Sequence, residues 1–247
     1  MKHGSLFSGI GGFDLAAQWM GWENVFQVEW DKYCQKVLAK NFPNVKRYGD
    51  IKEFDGTKYR GLVDIISGGF PCQNISVSGR GEGLRGAKSG LWSEYSRIIK
   101  EINPQYAIIE NSPNLTRKGF EQILFDLSES GYDAEWQCFL ASDFGFPHKR
   151  ERIFILAYPI IQRWRGILHL LKRSIIEKNK KTNPLDTSCH PFLQFEQRIG
   201  EPPVFRMVDG LSKRLDVINR LGSLGNSIIP QIAFEIFKAI QQTKIDI

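Results

Sequence analysis

Through residue 157, short apolar runs alternate with stretches whose apolar positions recur at helical spacing. GSLFS, at 4–8, reads as a strand, and FDLAAQWM as a helix entered through glycines. NVFQVEW is a second strand, followed by a helix over DKYCQKVLAKNF that Pro43 ends. A short third strand precedes Asp50. LVDIISGG reads as a fully buried strand, and LWSEYSRIIKEIN as a helix with one apolar face. YAIIEN is another strand, GFEQILFDLSESG a helix with a glycine stop, and AEWQCFLAS and RIFILAY two closing strands joined by DFGFPHKRE. This alternation predicts an α/β fold, a doubly wound and mostly parallel sheet that takes ligands at the carboxyl ends of its strands. The last two strands follow each other without a helix, so they form an antiparallel pair.

After Tyr158 the alternation stops. Residues 159–220 mix aliphatic and basic positions and then turn polar, which predicts a small appended lobe of helix and loop. The chain closes with NSIIPQIAFEIFKAIQQ, where Pro230 suits a first helical turn. Ile232, Ile236, Phe237 and Ile240 share one face of that helix, so it packs back on the sheet. The expected organisation is one domain from 1–158 plus 221–247, interrupted by the lobe at 159–220.

Composition supports a folded chain: 247 residues with 42% hydrophobic and 12% aromatic content can bury a substantial core. No apolar run approaches the roughly 18 residues of a membrane span. The polar, glycine-broken N-terminus does not resemble a signal peptide, so a cytoplasmic, monomeric protein is expected. Cys34, Cys72, Cys138 and Cys189 form no paired framework, and Cys189-His190 has no second pair at ligand spacing, so no metal is expected. The charge changes the picture more. Residues 158–220 hold 12 Lys/Arg against 6 Asp/Glu, which accounts for the whole net charge of +6. A basic lobe of this kind suits a polyanion such as nucleic acid, although a merely solvated surface reads equally well from charge alone.

The candidate chemistry lies at the predicted strand ends. Gly9, Gly11 and Gly12 form a turn between the first strand and helix that lets backbone approach a ligand. The strict dinucleotide pattern is broken, because residue 14 is aspartate. Glu29 ends the second strand, placed to accept a ribose hydroxyl, and Trp30 beside it offers a face to an adenine. Asp50 follows on the same rim. Next along the rim is Cys72, at the mouth of a loop rich in glycine and arginine, with its backbone partly fixed by Pro71. Glu110 ends the neighbouring strand. An ionised acid there would raise the thiol's pKa, so the pair makes sense if the acid gives a proton to substrate while a thiolate attacks. Arg150 and Arg152 start the last strand and supply the opposing charge.

These stretches together resemble the DNA cytosine-5 methyltransferases of the short bacterial or phage type. LFSGIGGFDLAAQWMGW is similar to that family's first S-adenosylmethionine motif, VEWDKYCQKVLAKNFP to its second, and GDI to its third. GGFPCQNISVSGRGEGLRGAKSGLW resembles the catalytic motif with its mobile loop, ENSPNL the motif of the catalytic glutamate, and DFGFPHKRERIFIL the arginine motif. LGNSIIPQIAFEIFKAI matches the terminal motif that completes the cofactor pocket.

The resemblance implies a Rossmann-like methyltransferase fold, S-adenosylmethionine as methyl donor with S-adenosylhomocysteine as product, and double-stranded DNA as partner. It assigns Cys72, Glu110, Arg152 and Arg150 to catalysis. It assigns Phe7, Gly9, Ile10, Gly12, Glu29, Trp30, Asp50, Ile51, Pro71, Leu91, Asn226 and Ser227 to the cofactor. In the implied reaction Cys72 adds to C6 of cytosine while Glu110 protonates or hydrogen-bonds N3, and C5 then takes the methyl group. A free thiol has a pKa of about 8.5, so it needs assistance at neutral pH. A stacked base hides C6, so the target must flip out of the duplex. Gln73, Ser76, Ser78, Arg80, Arg85 and Lys88 in the loop, with Arg163 and Arg165 in the lobe, are the expected DNA contacts. Ser112 stands where most relatives have valine, His148 replaces the commoner glutamine, and the lobe is short for a target-recognition domain. An RNA cytosine methyltransferase of the same fold, a catalytically silent DNA-binding relative and a nicotinamide-dependent oxidoreductase remain open on the residues alone.

Overall fold

The computed structural model describes residues 1–71, 90–117, 119–161, 166–181 and 227–243. Seven strands, β1 (Lys2–Leu6), β2 (Glu23–Val28), β3 (Lys46–Tyr48), β4 (Ile65–Gly69), β5 (Tyr106–Asn111), β6 (Tyr132–Leu140) and β7 (Glu151–Pro159), form one sheet. Their order is β3-β2-β1-β4-β5-β7-β6. The first five pair in parallel, and β7 runs antiparallel to both β5 and β6. β6 therefore points the same way as the parallel strands, so its carboxyl end shares their rim.

Among the described residues six helices cover the sheet: α1 (Gly12–Trp19), α2 (Lys32–Asn41), α3 (Leu91–Ile102), α4 (Phe120–Glu129), α5 (Ile167–Lys181) and α6 (Pro230–Thr243). Period-two alternation in the strands divides the core into two layers. Ile66, Ala107, Ile109, Ile153 and Ile155 face α3 and α4, with Phe26, Tyr95 and Ile98. Ile65, Tyr106, Ile108, Phe154 and Leu156 face α1, α5 and α6. The terminal helix is the one the sequence predicts. Pro230 is its first residue, and Ile232, Ile236, Phe237 and Ile240 are buried. Local chemistry sets other boundaries. The Asp31 side chain accepts from Cys34 N at 2.8 Å and caps α2, while Asn103 ends α3 in the left-handed region.

Some expected boundaries shift. β1 ends at Leu6, not at residue 8, because Phe7 turns left-handed with φ 51°. β4 begins at Ile65, and Leu62, read as part of that strand, is exposed. α5 falls inside 159–220, yet it packs on the sheet, with Ile167 and Leu168 buried in the core layer that holds α6. Glu135 Oε1 on β6 accepts from Ile167 N at 3.0 Å, Lys172 Nζ donates to the Cys138 carbonyl at 2.6 Å, and Asn179 Nδ2 to the Asp143 carbonyl at 2.9 Å. These partners lie far upstream in sequence, so the mixed aliphatic-basic pattern of α5 did not reveal them. Among the described residues no helix is long and apolar enough to cross a membrane.

Candidate active site

The turn after β1 is built on a buried polar network. Ser5 Oγ donates to both carboxylate oxygens of Asp14, at 3.1 and 3.0 Å, and Gln27 Nε2 donates to Asp14 Oδ1 at 3.0 Å. Ser8 Oγ lies 2.6 Å from Ser5 Oγ and donates to the Val28 carbonyl at 3.3 Å. Asp14, which breaks the dinucleotide pattern in the sequence, is thus the fully buried floor of the turn. Burial pushes its pKa up to about 6, against the pull of Gln27 and Ser5. Above this floor Phe7 and Gly9 both have positive φ, 51° and 53°, and the Phe7 ring stacks on Tyr95. A non-glycine residue in that region is a strained conformation held by its surroundings.

Glu29 ties this turn to the next strand. Its Oε2 accepts from Gly9 N and its Oε1 from Asp31 N, each at 2.7 Å. Burial raises its pKa, and those two N–H groups oppose the rise. Trp30, beside it, is 72% exposed, which leaves its ring face open at the rim. Asp50 follows β3, with Oδ1 accepting from Lys52 N at 2.9 Å, and Ile51 is buried. The structure therefore brings Phe7, Gly9, Ile10, Glu29, Trp30, Asp50 and Ile51 to the carboxyl ends of three adjacent strands. A carboxylate, an open aromatic face and left-handed glycines fit a nucleoside. Gly12 has a different surrounding: a Cβ there would meet Cγ2 and the carbonyl of Ile228, just before α6. Leu91 opens α3 and packs against its core layer.

The second half of the site lies across β4, β5 and β7. Gly68 and Gly69 end β4, and a Cβ at either position would meet atoms already in place. A Cβ on Gly68 would strike the Leu6 carbonyl, and one on Gly69 would strike Glu110 Oε2. Gly69 is in register with Glu110. Glu110 is 8% exposed, and Arg152 Nε lies 3.0 Å from its Oε1. That contact is a charge pair off the N–H axis, so Oε1 has no aligned hydrogen bond among the described residues. Burial raises the Glu110 pKa, while the charges of Arg152 and Arg150 oppose it. Arg150 does not pair with Glu110. Its Nη1 donates to the Ser227 carbonyl.

Asn111 is a residue whose role the sequence reading missed. It is buried, and its Nδ2 donates to the Phe70 carbonyl at 3.0 Å, two residues before Cys72. Ser112 N donates back to Asn111 Oδ1 at 2.8 Å. The only signal was its place beside Glu110. Phe70 is buried and Pro71 exposed, so the chain leaves the core between these two residues. Cys72, Gln73, Ser76, Ser78, Arg80, Arg85, Lys88, Arg163, Arg165 and Asn226 lie outside the described residues. Among the described residues no group of three or more His, Cys, Asp or Glu is placed to hold a metal ion.

Residues 1–196 match the family model of the C-5 cytosine-specific DNA methylase. The chain is 38% identical over 157 residues to Type II methyltransferase M.NgoBI of Neisseria gonorrhoeae, covering 62% of this chain and 49% of that one. It is 36% identical over 157 residues to Type II methyltransferase M.HhaI of Haemophilus parahaemolyticus, covering 62% and 47%. The chain thus spans about half the length of the curated relatives it matches. Among solved structures, a mutant form of Spodoptera frugiperda DNMT2 superposes with a TM-score of 0.56 at 22% identity, over 66% of this chain and 51% of that one. At that identity the likeness speaks to the fold.

Proposed function

This chain belongs to the C-5 cytosine-specific DNA methylase family, and from that premise we propose that it methylates cytosine C5 in double-stranded DNA through a covalent adduct at Cys72. The observation that carries the proposal is the buried Glu110 paired with Arg152, one strand over from the Phe70-Pro71 backbone that leads to Cys72. S-adenosylmethionine, when bound, supplies an electrophilic methyl group. Phe7, Gly9, Glu29, Trp30, Asp50 and Ile51 are the residues that would hold its nucleoside, and Asn226 and Ser227 would close the pocket. Glu29 keeps lone pairs for ribose hydroxyls beyond the two N–H groups it already accepts.

Cytosine C5 is a weak nucleophile. Addition of the Cys72 thiolate to C6 places electron density on C5, provided that charge on the ring is relieved at N3. Glu110 does that: its raised pKa favours the protonated acid, which donates to N3. Arg152 keeps the carboxyl oriented and holds the O2 edge of the base. After C5 gains the methyl group its proton passes to solvent, the thiolate leaves C6 by β-elimination, and N3 returns its proton to Glu110. A base flipped from the stack costs a few kcal/mol, which the loop following Cys72 offsets by contacts with DNA.

The test is expression in a host that lacks 5-methylcytosine, followed by single-base mapping, with Cys72→Ser alongside. Marks confined to one short motif and absent in the variant are the expected result. Soluble protein that binds S-adenosylmethionine yet leaves no marks in DNA contradicts the DNA substrate.

A further inference from the structure

The three residues before α6 touch both halves of the site. Ser227 offers its carbonyl to Arg150 Nη1, on the side of the base-handling residues. Ile228 fills the space a Cβ on Gly12 would need, on the side of the cofactor turn. Arg150 and Arg152 are two residues apart and differ in what they face. Arg152 pairs with Glu110 at 3.0 Å, whereas Arg150 reaches that acid only through its longer-range field. Arg150 sits half-buried, and burial together with the neighbouring Arg152 charge depresses its pKa. Its Nε is a buried donor with no partner among the described residues. Holding a second guanidinium there is costly, and the bond to the terminal segment is what that cost secures.

We infer that Arg150 is a positioning residue that clasps Ser227–Ile229 against the cofactor turn and so couples cofactor binding to the base pocket. The inference rests on the methyltransferase reading. The guanidinium and Ile228 hold one backbone segment from two sides. Loss of either loosens the wall that the cofactor turn packs against. Arg152, by contrast, acts on the base through Glu110.

Calorimetric titration of the full chain with S-adenosylhomocysteine tests this in the wild type, Arg150→Met, Arg150→Lys, Arg152→Met and Ile228→Ala. A hydrogen bond from a charged donor translates into roughly ten- to a hundredfold weaker binding for Arg150→Met. Arg150→Lys keeps a donor and recovers most of that loss. In turnover Arg150→Met raises the cofactor KM more than it lowers kcat, and Arg152→Met does the reverse. Ile228→Ala also weakens the cofactor, and its combination with Arg150→Met is less than additive, because both act on one segment. If Arg150→Met does not fold, Ile228→Ala and Arg150→Lys carry the test, and wild-type binding by Ile228→Ala then overturns the clasp. Wild-type affinity in a folded Arg150→Met, or a loss confined to kcat, overturns it as well. A wild-type chain that binds no S-adenosylhomocysteine overturns the methyltransferase reading itself.

Discussion

The polar network under the cofactor turn holds two buried titratable groups whose effects on stability oppose each other. His3 Nδ1 lies 2.7 Å from Asn24 Oδ1 and Nε2 lies 2.7 Å from Ser67 Oγ; burial depresses its pKa from 6.5 to about 4. Asn24 in turn donates to the Asp14 backbone carbonyl at 2.9 Å, and burial raises the Asp14 side chain from 3.8 to about 6. At about 1.4 kcal/mol per pH unit, each displacement corresponds to roughly 3 kcal/mol. The signs differ. The His3 contribution is present above pH 6.5 and is lost as pH falls through about 4. The Asp14 contribution is present below pH 3.8 and is lost as pH rises through about 6. Between about pH 4 and 6 the two slopes nearly cancel. Asp14→Asn keeps the shape and removes one slope, so its stability relative to wild type climbs by roughly 3 kcal/mol across that window. His3→Gln removes the other, so its relative stability falls by a similar amount. Urea unfolding in half-unit pH steps measures both differences. Parallel pH dependence in the two variants, or none relative to wild type, refutes the reasoning.

Other expectations concern the base side. Glu110→Gln should reduce methyl transfer by roughly 10²-fold or more while cofactor affinity and melting temperature stay near wild type, because the amide cannot give N3 a proton. Gly69→Ala places a Cβ against Glu110 Oε2 and should cut activity comparably by displacing the proton donor while the fold is kept, which a turnover assay with circular dichroism checks. Ile236→Ala empties a fully buried position on α6 and should cost about 2–5 kcal/mol in urea unfolding.

Much of the site was legible because its residues are placed by strand ends, and strand ends follow from apolar runs. YAIIEN is β5 residue for residue, so the apolar run alone puts Glu110 at the strand's carboxyl end. Glu29 and Asp50 followed in the same way. What the sequence did not show were contacts made across long separations. Asn111 acts on Phe70 from 41 residues away, and Glu135 caps α5 from 32 residues away. No local pattern encodes such pairings. The insertion of β7 between β5 and β6 was hidden for the same reason, since consecutive strands announce their own pairing and not that with an earlier strand. Asp14 was visible only as a defect in a glycine pattern, and its role as a buried floor depends on Ser5 and Gln27 from two strands.

The central claim is a bond between Cys72 and cytosine C6, broken only when C5 gives up its proton. A duplex carrying 5-fluorocytosine at the target position cannot make that last step, so it traps the intermediate. Mass spectrometry of the wild-type chain incubated with such a duplex and S-adenosylmethionine should show one stoichiometric adduct on the peptide bearing Cys72, and none in Cys72→Ser. Methyl transfer to ordinary DNA with no trapped adduct, or an adduct on another residue, would contradict the account.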